Sequence, residues 1–275
     1  MKYAMLIDST RCSICYSCQV ACKDEFVGEA YPPYSYSQTD TEPSWIRVSE
    51  DERGEYPRVK VYPTPVLCMQ CENAPCIKAC PVEGCMYKLD NGTVIIDSDK
   101  CTGCQACKKA CPYDAIVFNN DKGICQKCTF CQHRIAEGKE PACVDACPSG
   151  VLFFGEESKI IAEAKKRGAK TMSPEYKTKP SVYYVGLPSP SIAGHLIDSK
   201  TLMDVTGAEI SVVGADSAKT KVKSTVSGMF LIQELKADKK YSIEIVSKGY
   251  KPKTINNISL DIEYKHLGNI KLDKA

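Results

Sequence analysis

The sequence predicts an α+β protein: a cysteine-rich front of short helices and hairpins, then an all-β domain of about seven strands. All eighteen cysteines of the 275 residues lie at or before Cys147, in four groups with related spacings. After residue 190, short alternating apolar and polar runs recur between turn signals, as in a sandwich or barrel. We therefore expect a cysteine region at 1–155 with an inserted aromatic loop at 23–67, a connector at 156–190 and a β-domain at 191–275.

Composition and charge exclude several classes of protein. Hydrophobic residues make up 43% and charged residues 25%, as in folded globular proteins. No apolar run is long enough to cross a membrane, and the short apolar start ends at Asp8 without an export signal, so we expect a cytoplasmic protein. The net charge is +2 and no basic stripe is present, which argues against nucleic-acid binding. Since cytosolic thiols stay reduced, the cysteines indicate metal or redox chemistry.

The spacing within the groups is typical of iron–sulfur ligands. Three thiolates two residues apart can wrap one face of a cuboidal cluster, while a fourth, more distant cysteine ligates a neighbouring cluster. A proline follows the last cysteine in three groups, but Lys23 follows Cys22, so the exit from the first loop is less certain. The four groups are Cys12, Cys15, Cys18, Cys22; Cys68, Cys71, Cys76, Cys80; Cys101, Cys104, Cys107, Cys111; and Cys128, Cys131, Cys143, Cys147.

Other interpretations of these cysteines stay open from spacing alone. A disulfide framework fits the count but not the expected compartment, and the fourth group, with its two separated pairs, could bind structural zinc. Cys85 and Cys125 belong to no group and are predicted to be buried non-ligands. Cys125 leaves an ambiguity, because 125-128-131 has the same spacing as a ligand triplet; we favour Cys128, Cys131 and Cys143.

Local signals predict further elements. Residues 45–48 and 58–62 read as a strand pair with a turn at Arg53 and Gly54, and residues 86–97 as a hairpin turning at Asn91 and Gly92. In the connector, a strand at 151–155 precedes a helix with Ser158 as its N-cap and Gly168 at its end, followed by a strand at 181–186 and a linker at 188–191. In the β-domain, Tyr241, Ile243 and Ile245 are expected to share one buried face.

The cysteine region resembles the four-cluster iron–sulfur (beta) subunits of the dimethyl sulfoxide reductase superfamily of molybdopterin enzymes. The stretches that carry this resemblance are CSICYSCQVACKDE, YPRVKVYPTPVLCMQCENAPCIKACP, DKCTGCQACKKACPYDAI and KCTFCQHRIAEGKEPACVDACPSGVLFFGE. The C-terminal run GMFLIQELKADKKYSIEIVSKGYK is similar to transthyretin-like or Ig-like β-domains. Such an appendage makes the protein most similar to the small subunits of the superfamily's transhydroxylases, which act on polyhydroxybenzenes.

The resemblance implies two pseudo-symmetric bacterial-ferredoxin-like modules that bind four [4Fe–4S] clusters; Lys23 and Cys125 leave three clusters open as an alternative. In the family's nested pairing, the ligand sets would be Cys12, Cys15, Cys18 and Cys147; Cys22, Cys128, Cys131 and Cys143; Cys68, Cys71, Cys76 and Cys111; and Cys80, Cys101, Cys104 and Cys107.

The resemblance also implies a function. The chain would transfer electrons within a complex, beside a large catalytic subunit that holds molybdenum on two pterin guanine dinucleotides. No motif for a substrate-transforming site appears in this chain, so we predict no catalytic residue and no membrane span here. Three alternatives stay open: a free-standing polyferredoxin carrier, the beta subunit of another molybdenum or tungsten oxidoreductase, and a binding protein with structural clusters. The aromatic segment 31–45 is either a partner contact or a cover over a cluster.

Overall fold

The computed structural model describes residues 1–55, 58–213, 221–236, 238–260 and 264–275. It divides into two compact units: residues 1–51 with 62–187, and residues 52–61 with 188–275. The predicted connector, up to residue 187, therefore lies in the first unit. None of the helices in the described ranges is both long and apolar enough to span a membrane.

A four-stranded sheet joins the start of the first unit to its end. Its order is β8-β1-β10-β9, where β1 is parallel to β10 and antiparallel to β8. The apolar run of β1 is fully buried, and its Ala4 and Leu6 pack against Ile160 and Ala164 of α6. These elements are β1 (Tyr3–Asp8), β8 (Leu152–Glu156), α6 (Glu157–Lys166), β9 (Lys170–Thr171) and β10 (Val182–Val185).

The connector elements agree with the predictions except at the helix start. Ile160 and Ala164, four residues apart, form the buried stripe of α6, and Gly168 takes a left-handed φ of 63° just beyond its end. The predicted N-cap was wrong: Glu156 occupies that position, and Ser158 lies within the first turn and donates its hydroxyl to Glu156. Glu157 supplies the acidic residue that favours a helix start.

Short helices and hairpins carry the cysteines. A helix followed by a two-stranded antiparallel hairpin occurs twice in succession, α2-β4-β5 and then α3-β6-β7. The predicted hairpin turn at Asn91 and Gly92 is confirmed, with Gly92 at φ 87°. The elements are α1 (Ser17–Phe26), α2 (Pro75–Ala79), β4 (Met86–Lys88), β5 (Val94–Ile96), α3 (Ala106–Ala110), β6 (Val117–Asn119), β7 (Ile124–Gln126), α4 (Gln132–Ala136) and α5 (Ala142–Asp145); single 3-10 turns lie at Ser9–Arg11 and Pro174–Tyr176.

The predicted strand pair near residue 50 is present but longer than expected. β2 (Arg47–Glu55) pairs with β3 (Arg58–Val66). The turn predicted at Arg53 and Gly54 was wrong, because both residues lie within β2. Arg53 is buried in the second unit, where its guanidinium donates to the Ser189 carbonyl at 2.6 Å and the Ser191 hydroxyl at 2.9 Å. An arginine anchored in this way extends the strand through a position that sequence alone marks as a turn.

Seven strands of the second unit form two sheets around one core. One sheet has the order β14-β11-β17 and the other β13-β12-β15-β16. Tyr241, Ile243 and Ile245 of β15 are buried and Glu244 is exposed, which confirms the predicted alternation. The similarity of this unit to transthyretin-like domains stays a prediction. Its strands are β11 (Ser191–Asp198), β12 (Glu209–Val213), β13 (Lys221–Lys223), β14 (Met229–Ile232), β15 (Lys239–Val246), β16 (Lys253–Leu260) and β17 (Tyr264–Leu272).

Candidate iron–sulfur centres

The loops between successive cysteines share an unusual backbone. Ile14 and Tyr16, Gln70, Gln105, and Phe130 all have φ between 48° and 58°, and each lies one residue from a cysteine. Residues other than glycine rarely adopt this left-handed region. Alternation of left- and right-handed residues turns successive N–H groups inward and forms a concave site for an anion. The backbone of these loops is thus suited to bind a negatively charged ligand.

Site A comprises Cys12, Cys15, Cys18 and Cys147. These four cysteines line one cavity. Burial, together with the Cys12 and Cys147 thiols, raises the pKa of Cys18 to about 12. The sheet explains how residues so far apart in sequence meet: Ile7 pairs with Leu152, so the chain leaves β1 towards Cys12 near the point where it arrives from Cys147.

Site B comprises Cys22, Cys128, Cys131 and Cys143, which line a second cavity. Burial raises the pKa of Cys131 to about 12 and those of Cys128 and Cys143 well above the ordinary thiol value. The Phe130 N–H points to Cys128 Sγ at 3.4 Å and the Gln38 amide to Cys22 Sγ at 3.7 Å. Such donors stabilise thiolate ligands, so the site combines burial of its thiols with groups that favour negative charge on them.

An aromatic cover closes site B. Phe26 and Trp45, whose ring centroids are 4.4 Å apart, line its cavity, and Tyr31 stacks on His133 at 3.6 Å. His133 and Arg134 both contact the Glu25 carboxylate, at 2.8 and 2.9 Å. The structure therefore favours the cover as the role of Tyr31 and Trp45. The glutamate network was missed from sequence, because its members are more than a hundred residues apart.

Site C comprises Cys68, Cys71, Cys76 and Cys111. Burial is the main cause that raises the pKa of Cys71 to about 11 and that of Cys76 to about 12. The nearby Cys68 and Cys111 thiols raise both pKa values further. The Thr178 hydroxyl counteracts this for Cys71 by hydrogen bonding. Three members of this site, Cys68, Cys71 and Cys76, are buried. Site C is therefore an interior site.

Site D comprises Cys80, Cys101, Cys104 and Cys107, and the two remaining cysteines adjoin it. Cys85 contacts the thiols of Cys80 and Cys101. Cys125 lies at Cys107 and interacts electrostatically with Cys101 and Cys104, and its backbone N–H points to Cys101 Sγ at 3.5 Å. Cys125 therefore lies with the third group and not with Cys128 and Cys131. The ligand roles themselves stay predictions, although all four predicted sets come together.

The four sites form a row in the order A, B, C, D. The Cys143 thiol of site B interacts with Cys18 of site A, and the Cys128 thiol interacts with Cys68 of site C. Sites C and D are joined by two helices, since α2 carries Cys76 and ends at Cys80, while α3 carries Cys107 and ends at Cys111.

The residues present fit anionic clusters. Lys127 is only 3% exposed, and its ammonium donates to the Val94 and Cys128 carbonyls. No carboxylate in the described residues forms an ion pair with it. A buried cation needs a counter-charge, and Lys127 interacts with the thiols of Cys76 and Cys111. Four thiolates around a cluster would supply that charge. Across the described ranges, no three potential ligand side chains converge on a single metal ion; in sites A and B the thiols surround cavities instead.

A fold of repeated helix–hairpin units with four thiol-lined sites defines an iron–sulfur protein of the ferredoxin-like class. The model of the 4Fe-4S dicluster domain matches residues 59–157. The protein is 36% identical to the B subunit of tetrathionate reductase from Salmonella typhimurium, over 68% of this chain and 73% of that one. It is 35% identical to the B subunit of the anaerobic dimethyl sulfoxide reductase from Escherichia coli, over 66% and 87% of the two sequences.

The protein therefore belongs to the family of iron–sulfur B subunits that includes the dimethyl sulfoxide reductase subunits, and it is an electron-transfer iron–sulfur subunit. A further relative is similar along almost the whole length. The pyrogallol hydroxytransferase small subunit of Pelobacter acidigallici is 29% identical over 98% of this chain and 99% of its own. The similarity to that relative thus includes the second unit, whereas the reductase subunits match about two thirds of this chain.

Proposed function

We propose that this chain conducts electrons, one at a time, along four [4Fe–4S] clusters between a large molybdopterin subunit and the surface of a complex. The row of sites A to D carries this proposal. Cys15 of site A and Cys104 of site D are exposed, whereas all the other predicted ligands are wholly or partly buried. Electrons would thus enter and leave at the two ends of the row.

The protein's own residues hold the clusters and tune their surroundings. Thiolates bind iron, and when bound the clusters supply the one-electron chemistry. Phe26 and Trp45 exclude water from site B, and the backbone N–H groups of Phe130 and Cys125, which point to ligand sulfurs, stabilise negative charge there. Lys127 places a cation beside site C. No substrate chemistry is assigned to this chain.

The particular enzyme we propose is a cytoplasmic pyrogallol–phloroglucinol transhydroxylase, with this chain as its small subunit. The end-to-end similarity to the pyrogallol hydroxytransferase small subunit supports this choice. The partner would bind molybdenum on two pterin guanine dinucleotides and move a hydroxyl group between polyhydroxybenzenes. That reaction needs no net electron flow, so the row would poise the molybdenum in its working oxidation state. We propose a heterodimer, with association of heterodimers left to experiment.

A reductase is the second candidate, because the local identity to reductase subunits, up to 36%, exceeds that to the transhydroxylase subunit. In that case the row would carry net electrons at every turnover. Replacing Cys101 with Ala distinguishes the two: turnover of a reductase should collapse, while transhydroxylation in an intact complex should continue once the molybdenum is poised.

The decisive test is anaerobic purification of the tagged full chain from its native cell. We expect a much larger chain to co-purify, with molybdenum, no zinc, and iron and sulfide for four clusters. The complex should convert pyrogallol with a tetrahydroxybenzene cosubstrate and should not reduce tetrathionate or dimethyl sulfoxide. An iron-free, colourless but folded protein would refute the whole proposal. An iron-loaded monomer without a partner would refute the subunit role and favour a free carrier.

A further inference from the structure

Both cysteines outside the four quartets adjoin the same site. Cys85 and Cys125 are 2% and 1% exposed. Cys85 lies at Cys80 and Cys101, and Cys125 lies at Cys107 and interacts electrostatically with Cys101 and Cys104. Site D thus contains six thiols, and sites A, B and C contain four each. The two extra residues arrive from different hairpins, Cys85 just before β4 and Cys125 in the middle of β7.

The two extra thiols differ in what they bond. The Cys85 thiol points to the Asp97 carbonyl at 3.7 Å, and the Asp97 N–H donates back to the Cys85 carbonyl at 2.7 Å. The same thiol also lies at hydrogen-bonding positions to Cys80 and Cys101. The Cys125 thiol lies at Cys107, and its backbone N–H points to Cys101 Sγ at 3.5 Å. Cys125 is therefore the extra thiol beside Cys107, whereas Cys85 lies beside Cys80 and Cys101.

The strand holds Cys125 firmly in this position. It lies in β7, opposite Phe118 of β6, in a short antiparallel hairpin. Its neighbour Gln126 is anchored by its side chain to the Tyr36 and Ser37 carbonyls, at 2.9 and 3.1 Å. A thiol on such a fixed backbone keeps its distance from the cluster when a ligand on α3 moves or is lost.

We propose that Cys125 is a reserve ligand of the site D cluster, able to take the place of Cys107. In the exchange, the iron–sulfur bond to residue 107 breaks and a bond from iron to Cys125 Sγ forms. The proton leaves Cys125 and is taken up by the displaced Cys107 thiolate, or by water when residue 107 carries no thiol. No electron is transferred. The inference rests on the proposed function, since it requires clusters in the unmodified protein.

The position of site D gives this reserve ligand a use. Site D ends the row, and its Cys104 is exposed, so oxidants reach this cluster more easily than those of sites B and C. Loss of one ligand normally leaves an iron open to solvent and the cluster prone to break down. A second thiol within reach would keep the terminal cluster intact, and the row with it.

The test compares equivalent ligands in two sites of the full complex, purified anaerobically. Cys107→Ala is matched by Cys76→Ala, since both are the third cysteine of a triplet and lie in equivalent short helices, α3 and α2. Iron per chain and the EPR spectrum of the reduced clusters are measured. We expect Cys107→Ala to keep all four clusters with one altered EPR signal. Cys76→Ala and the double variant Cys107→Ala/Cys125→Ala should each lose one cluster. Loss of a cluster in Cys107→Ala alone would overturn the proposal.

A second measurement does not depend on removing a ligand. Cys125→Ser keeps all sixteen predicted ligands and should contain the full iron complement. On exposure to air, its site D cluster should bleach at least several-fold faster than in the unmodified protein, while Cys85→Ser should behave like the unmodified protein. Equal rates for Cys125→Ser and the unmodified protein would refute a reserve role, even if Cys107→Ala failed to fold. An unmodified complex without iron would instead refute the proposed function.

Discussion

Replacing Lys127 with Met should lower the reduction potential of the site C cluster. Lys127 is 3% exposed and interacts with Cys76 and Cys111, so its charge is poorly screened by solvent. For an assumed distance of about 8 Å between the ammonium and the cluster centre, and an effective dielectric of about 20, the charge contributes roughly 2 kcal/mol. For a one-electron couple this is roughly 90 mV. Because the cation favours the more negative, reduced cluster, its removal makes reduction harder and the potential lower.

The assay is an anaerobic redox titration of the complex followed by EPR. Lys127→Met should move one cluster potential down by an amount of this order, while Lys127→Arg, which keeps the charge, should move it little. Lys108→Met is a second control, because Lys108 lies in α3 at a partly exposed position. Leaving the Val94 and Cys128 carbonyls without their donor should also cost about 1–3 kcal/mol of stability. Unchanged potentials for all clusters in a folded Lys127→Met protein would refute the electrostatic reasoning.

Three further predictions concern folding. Gly194→Ala should destabilise the second unit by about 1–3 kcal/mol in denaturant unfolding, because the added Cβ would lie 2.8 Å from the Phe230 ring. Gly155→Ala is the control: a Cβ at this position would meet open space, so stability should change little. Removing iron with an anaerobic chelator should unfold the first unit and leave the amide NMR signals of the second unit dispersed, because the second unit has its own core. Loss of signal dispersion in both units would contradict this. The backbone N–H groups of Thr201 and Lys200 lower the pKa of Asp198 from 3.8 to about 2. The ionised Asp198 carboxylate therefore contributes to stability above pH 4, and this contribution is lost as the pH falls towards 2. An NMR titration midpoint near 3.8 for Asp198 would refute this.

Local order was largely predictable from the sequence. The alternation of Tyr241, Ile243 and Ile245 predicted which face of β15 is buried, and Asn91 with Gly92 predicted the β4–β5 turn, because both depend on contacts within a few residues. The exception at Arg53 and Gly54 has a long-range cause. These residues read as a turn, but bonds from Arg53 to Ser189 and Ser191 hold them in a strand.

By itself, the sequence determined the four cysteine groups, and their spacing favours iron–sulfur clusters over the other uses of these thiols. The tertiary structure brings together the distant cysteines that the family resemblance pairs with each triplet, and it alone decided the order of the four sites and that Cys85 and Cys125 both lie at site D. Those facts depend on pairings such as Ile7 with Leu152, which close loops of more than a hundred residues. Closing such loops costs chain entropy, and burial of β1 and the helices offsets this cost. The local spacing of cysteines carries no information about that burial.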